Sequence, residues 1–353
     1  MKPSPLTSVL TALLIASFVF LEACNSGSKG GAGAGSSVQI TGAGSTFVHP
    51  LMSRWISDYE QTAPNVQINY QSIGSGGGVQ QLKQGSVDFA ASDAALDDQK
   101  LKGMPPLVQI PETAGPVCIT YSLPQLKQPL KLSAKTLSGI YLGTIKNWQD
   151  PAIQQENAGA ALPAQNIIVV HRTDGSGITT VFTTYLSMVS PDWKSKVGAA
   201  LSVSWPLGPG GKGSEGVTGL VTQSPGAIGY VDLTYALENH LPVADVENKA
   251  GKFISPTAAS ASAAIEAYSA ELQKDVRTAI VDPPATAADA YPISGLTYLL
   301  VPITPKDANK GAATKAFVQY TITTGQASTE ELHYSKLPPS LQQIDQSLLR
   351  QLK

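Results

Sequence analysis

The sequence predicts an α/β protein in which a mainly parallel sheet is covered by helices. Three observations predict it. Short apolar-alternating segments lead repeatedly into segments of helical period, and glycines with hydroxyls mark the junctions between them. The chain is also 353 residues long and 42% hydrophobic, enough for a substantial core. Repeated strand–helix–strand units carry the chain back to the edge where it began, which favours parallel pairing.

The elements follow in order. Val38–Ile40 is read as a strand, before a helix with Leu51, Trp55 and Tyr59 spaced i, i+4, i+8 on one face. Val66, Ile68 and Tyr70 alternate as a strand, Gly76 to Gln84 as a short helix, and Val87–Ala91 as the next strand. Val117, Ile119 and Tyr121 continue the pattern, and Ser133 is placed to cap a helix through Tyr141. Ile167–Val170 reads as a strand, Ile178–Leu186 as a helix and Tyr298–Val301 as a late strand. Two C-terminal helices carry Ala313, Phe317 and Ile322, then Leu341, Ile344 and Leu348. Ala258 to Ala290 is Ala-rich and loosely helical, interrupted by Pro283 and Pro284.

Residues 1–23 have the pattern of a cleavable export signal: Lys2, then the apolar run Leu6 to Leu21, too short for a membrane span. Leu21-Glu22-Ala23-Cys24 resembles the bacterial lipobox, with Glu22 in place of the usual small or apolar residue. That resemblance implies a lipid on Cys24 and attachment to a membrane, since each buried methylene contributes about 0.8 kcal/mol. Residues 24–37 are then the anchor and a Gly/Ala/Ser tether that cannot bury apolar area.

The only other cysteine is Cys118, so no disulfide framework is expected. The four histidines are scattered, without metal-site spacing, and neither metal nor cofactor is expected. Net charge is −2 with 24 Lys plus Arg, which argues against nucleic acid as a partner. An anion bound here must be held mainly by neutral donors and backbone amides.

Three junctions supply such donors: Gly42-Ala43-Gly44-Ser45-Thr46-Phe47, Gly74-Ser75-Gly76-Gly77-Gly78 and Asp174-Gly175-Ser176-Gly177. The first N–H groups of a helix lack intrahelical partners, and the macrodipole places about half a positive charge there. Phosphate or sulfate suits such a position. Each motif alone also reads as an ordinary cap or turn; the weight lies in three of them, each after a strand. Arg172 can fork onto an oxyanion or pair with Asp174. Asp93 ends a strand, either as a helix cap or as an acceptor for an anion that carries a proton, which phosphate does near neutral pH and sulfate does not.

Thr41 to Phe47, Ile73 to Val79, Ala91-Ser92-Asp93-Ala94 and Arg172 to Gly177 fall in the order found in the periplasmic phosphate-binding protein of ABC phosphate transporters. Trp205 to Gly213, Pro225 to Val231 and Tyr291-Pro292-Ile293 resemble the same family, so the likeness covers Val38 to about Leu349. The resemblance implies a periplasmic-binding-protein type II fold, two α/β lobes with a hinge and a central ligand cleft. It implies lobe I at 38–113 plus 289–353 and lobe II at 114–288.

Its implied ligand is inorganic phosphate and its implied partners are the ABC permease subunits, with a monomer expected in the periplasm or at the cell surface. The implied phosphate residues are Ser45, Thr46, Phe47, Ser75, Asp93, Arg172, Ser176, Gly177 and the backbone of Ile178, with Asp174 holding Arg172. Two positions depart from the pattern. Ile178 stands where the family often has Thr, removing a hydroxyl donor, with either Thr179 compensating or a lower affinity as the consequence, and Val48 stands at a usual Pro beside His49.

Rival readings fit the residues less well. Gly208 to Gly213 matches GxGxxG, but Leu201–Trp205 is too short and polar for the strand a dinucleotide site needs. A hydrolase using Ser45, Ser75 or Ser176 needs an adjacent base or metal pair, and no suitable histidine or Asp/His cluster accompanies them. His171, next to Arg172 on a strand, points to the opposite face. Sulfate or an organophosphate as ligand, or an adhesin role, keeps the fold and changes the function.

Overall fold

A computed structural model describes residues 37–353; the signal segment, Cys24 and nearly all of the tether lie outside the described residues. One lobe begins with β1 (Val38–Gly44), α1 (His49–Thr62), β2 (Val66–Ser72), α2 (Ser75–Gln84) and β3 (Phe89–Ser92). β4 (Leu107–Tyr121) then runs from this half into the other. The second half holds β5 (Lys131–Leu132), α3 (Ala134–Leu142), α4 (Pro151–Glu156), β6 (Ile168–Val169), β7 (His171–Arg172), α5 (Gly177–Val189) and α6 (Pro191–Lys196). It continues with β8 (Gly210–Gly211), α7 (Gly213–Gln223), β9 (Ala227–Asp232), α8 (Leu233–Glu238), β10 (Asp245–Glu247) and β11 (Phe253–Ile254). After α9 (Ala258–Ala267) and α10 (Ser269–Lys274), β12 (Ser294–Pro302), α11 (Ala308–Thr321) and α12 (Pro339–Leu349) complete the chain.

The main sheet has seven strands in the order β2-β1-β3-β12-β4-β9-β6. Pairing is parallel between β1 and β2, β1 and β3, and β6 and β9. It is antiparallel between β3 and β12, β12 and β4, and β4 and β9. The expected mainly parallel sheet is thus a mixed one. The strand–helix rhythm reports only local units, whereas β4 and β12 join distant parts of the chain and run against their neighbours.

β4 pairs with β12 from Leu107 to Pro116 and with β9 from Val117 to Tyr121, so one strand serves both halves. Its first half was not expected as strand, because Pro111 and Pro116 interrupt an apolar run and prolines are unusual in central strands. A register shift in the β12 ladder at Thr297/Tyr298 accommodates the irregularity.

Helix α1 buries Leu51, Trp55 and Tyr59, the face its spacing predicts. Trp55 also donates its indole N–H to the Gly325 carbonyl at 2.7 Å, satisfying the one polar atom it takes inside. Ser133 caps α3 by accepting the Thr136 N–H. The Ala-rich segment forms only α9 and α10, which end at Lys274, well before the prolines.

The strand read at Ile167–Val170 shortens to β6, beside β9, after which the chain bends into β7, beside β8. Gly208 makes this bend possible: at φ +93° a Cβ there would stand 1.8 Å from the Val169 carbonyl oxygen. The bend aims Arg172 inward, and Arg172 is 3% exposed. The Gly208–Gly213 segment is thus scaffold, with Lys212 in the cap position of α7.

Candidate functional site

Four helix starts meet where the two halves touch, those of α1, α2, α5 and α7. Gly44 sets the first approach. A side chain there would strike the Ala91 carbonyl at 2.1 Å, and its absence lets Ser45 donate its N–H to that carbonyl at 2.9 Å. Ser45, Thr46 and Phe47 are consequently buried just before α1. Phe47 is held by an edge-on contact with Tyr334 and by the Tyr334 hydroxyl, which donates to its carbonyl at 2.6 Å.

Asp93 stands at the centre of these hydroxyls. Its Oδ1 accepts from Ser45 Oγ at 2.5 Å and Thr297 Oγ1 at 3.0 Å, and its Oδ2 from Ser75 Oγ at 3.2 Å. Burial pushes the Asp93 carboxyl up, while the Ser45 and Thr297 hydroxyls, the Arg172 charge and Ser75 pull against that rise. The carboxylate is therefore solvated by hydroxyls instead of water.

Across the junction, Gly177 donates its N–H to Ser75 Oγ at 3.1 Å, and Gly76 donates to the Gly175 carbonyl at 2.9 Å. Ser176 caps α5, its Oγ accepting the Thr179 N–H at 3.3 Å. The Ile178 side chain is 1% exposed and belongs to the main hydrophobic cluster. The hydroxyl of Thr179, next in the chain, pairs with the Tyr230 hydroxyl at 2.7 Å. Tyr230 in turn accepts the Arg172 backbone N–H at 3.2 Å.

Arg172 forks onto Asp174, with Nε 2.8 Å from Oδ1 and Nη2 2.5 Å from Oδ2. Burial acts against the guanidinium charge, yet the Asp174 fork outweighs it and raises the Arg172 pKa. Burial likewise acts to raise Asp174, but the fork, the Arg172 charge and the Gly213 N–H hold its carboxyl below the usual range. With Nε and Nη2 engaged on Asp174, Nη1 is left to donate to Ser214 Oγ at 3.5 Å.

The structure thus gathers Ser45, Thr46, Ser75, Asp93, Arg172, Asp174 and Gly177 at one junction, with Ser176 and Ile178 in the first turn of α5. The His49 ring stacks on Tyr70 at 6.2 Å, and the His171 ring stacks on Trp205 at 4.9 Å. Two further residues touch this cluster and are not singled out by the sequence reading, Ser214 beside Thr46 and Arg172 and Thr297 on Asp93. Ser214 follows Lys212-Gly213 at a fourth glycine–hydroxyl helix start, a signal of the same kind as the other three. Thr297 lies inside an apolar strand, where nothing local marks it.

The sequence matches the PBP superfamily domain over residues 29–324. It is 44% identical over 306 residues to the phosphate-binding protein PstS of Xylella fastidiosa, covering 86% of this chain and 83% of that one. It is 42% identical over 303 residues to the phosphate-binding protein PstS of Pasteurella multocida, covering 85% of this chain and 86% of that protein. Among solved structures, a high-affinity periplasmic phosphate-binding protein (PfluDING) bound with phosphate superposes with a TM-score of 0.70 at 22% identity, over 88% of this chain and 93% of that one. The fold is the two-lobed type II arrangement of periplasmic phosphate-binding proteins. By these relatives and by the ordered motifs at its lobe junction, the chain belongs to the PstS family of phosphate-binding proteins.

Proposed function

We propose that this chain binds inorganic phosphate between its lobes, outside the cytoplasmic membrane, and delivers it to the permease subunits of an ABC importer without acting on it chemically. Asp93 carries the reading. A buried carboxylate beside an anion site repels any anion that brings no proton, and accepts a hydrogen bond from one that does. Donors surround the same point: Thr46 and Phe47 before α1, Ser75, the Arg172 Nη1 edge, and the start of α5 at Ser176, Gly177 and Ile178.

Hydrogen bonds to a charged group contribute about 1.5–3 kcal/mol each. Eight or so therefore exceed the roughly 8 kcal/mol of micromolar binding, the surplus offsetting desolvation and lobe closure. Calorimetry tests the reading. Phosphate is expected to bind and sulfate not, and Asp93→Asn is expected to narrow the gap; sulfate binding as tightly as phosphate to the unaltered protein would overturn it.

Lobe I is assigned to 38–113 plus 289–353 and lobe II to 114–288; the change of β4 partner between Pro116 and Val117 lies close to the first of these boundaries. The protein acts as a monomer, held at a membrane by lipid on Cys24. Mass spectrometry of the exported protein is expected to find an acylated Cys24 as the first residue. An unmodified N-terminus elsewhere would exclude the anchor.

A further inference from the structure

Ser214 occupies a particular point in the junction. It is fully buried in the first turn of α7. Its N–H donates to Thr46 Oγ1 at 3.3 Å, and its hydroxyl lies 3.1 Å from the same oxygen. It also accepts from Arg172 Nη1 at 3.5 Å. Thr46 and Nη1 are two of the groups assigned to phosphate above, and Ser214 stands where they meet.

A second observation concerns Asp232, the last residue of β9. It is 1% exposed, and its Oδ1 accepts the Tyr235 N–H at 3.0 Å. Its Oδ2 is buried with no hydrogen-bond partner among the described residues. An unpartnered buried carboxylate oxygen is costly unless it carries a proton. Burial pushes the Asp232 carboxyl well up; the Tyr235 N–H and the Ser214 hydroxyl lower it, and the charge of Asp93 raises it. Tyr235, Tyr334 and Cys118 are further titratable groups that feel its charge.

We propose that Ser214 is a further phosphate-binding residue and that Asp232 is its positioning residue. In the ligand-bound site the Asp232 carboxyl turns its proton to Ser214 Oγ, which leaves the Ser214 proton free to turn to the oxyanion. A bare carboxylate at Asp232 would draw that proton away from the cleft and repel the anion. This inference rests on the phosphate reading above.

The test is phosphate calorimetry on the full chain and its variants, with apo thermal unfolding beside it. Ser214→Ala is expected to weaken binding about tenfold, and Ser214→Thr to restore most of it. If Ser214→Ala fails to fold, Ser214→Gly makes the same deletion. Wild-type affinity is expected to fall more steeply from pH 6 to pH 9 than that of Asp232→Asn, which carries no titratable proton. A wild-type protein that binds no phosphate overturns the phosphate reading itself. Phosphate bound equally by wild type and Ser214→Ala overturns the role of Ser214, and coincident pH profiles for wild type and Asp232→Asn overturn the role of Asp232.

Discussion

Arg172→Met is expected to weaken phosphate binding by about a hundredfold or more. Two losses combine. The Nη1 hydrogen bond to the anion disappears, which alone contributes about 1.5–3 kcal/mol. Asp174 then loses its fork and becomes an uncompensated carboxylate beside the ligand; leaving one partner of a buried pair costs about 3–5 kcal/mol. The Asp174 side chain is 12% exposed, so water relieves part of that cost. A net loss of about 3 kcal/mol corresponds to roughly a hundredfold in affinity.

The two losses can be separated. Arg172→Lys keeps the charge but cannot fork onto both Asp174 oxygens, so it is expected to restore only part of the affinity. Adding Asp174→Asn to Arg172→Met is expected to recover about tenfold by removing the stranded charge. Calorimetry on the three variants decides the matter. Arg172→Met binding within tenfold of wild type would remove Arg172 from the site.

What the sequence revealed follows from how locally each feature is encoded. Glycine and hydroxyl residues at a helix start act within one turn, so the junctions at Ser45, Ser75 and Ser176 are visible without knowing the fold. The apolar face of α1 is equally local. β4 was seen only from Val117 onward, because its pairing with β12 depends on residues far along the chain and tolerates Pro111 and Pro116 at an irregular ladder. Thr297 became a partner of Asp93 through that same pairing, across 204 positions of sequence. Glu112 shows the limit most clearly. It is fully buried on β4 with both carboxylate oxygens unpartnered among the described residues, and no local pattern separates it from a surface glutamate.

Asp345 is a comparable residue with a measurable consequence. It lies on α12 among Leu341, Ile344 and Leu349, is fully buried, and neither carboxylate oxygen has a partner among the described residues. Burial pushes it up to about 8. Unfolded, it titrates near 3.9. Between these values the folded chain holds a proton that the unfolded chain has released, so stability is full below about pH 4 and is lost as pH rises toward 8. The slope approaches about 1.4 kcal/mol per pH unit, so several kcal/mol are lost over the interval. Asp345→Leu removes this loss, and its urea-unfolding free energy is expected to exceed wild type by several kcal/mol at pH 8 and by much less at pH 5. Glu112 and Asp232 are also raised by burial and remain in both proteins. The informative quantity is therefore the difference between wild type and variant at each pH, in which their contributions cancel. A difference that is the same at pH 5 and pH 8 would show that Asp345 is not the carboxyl that takes up the proton.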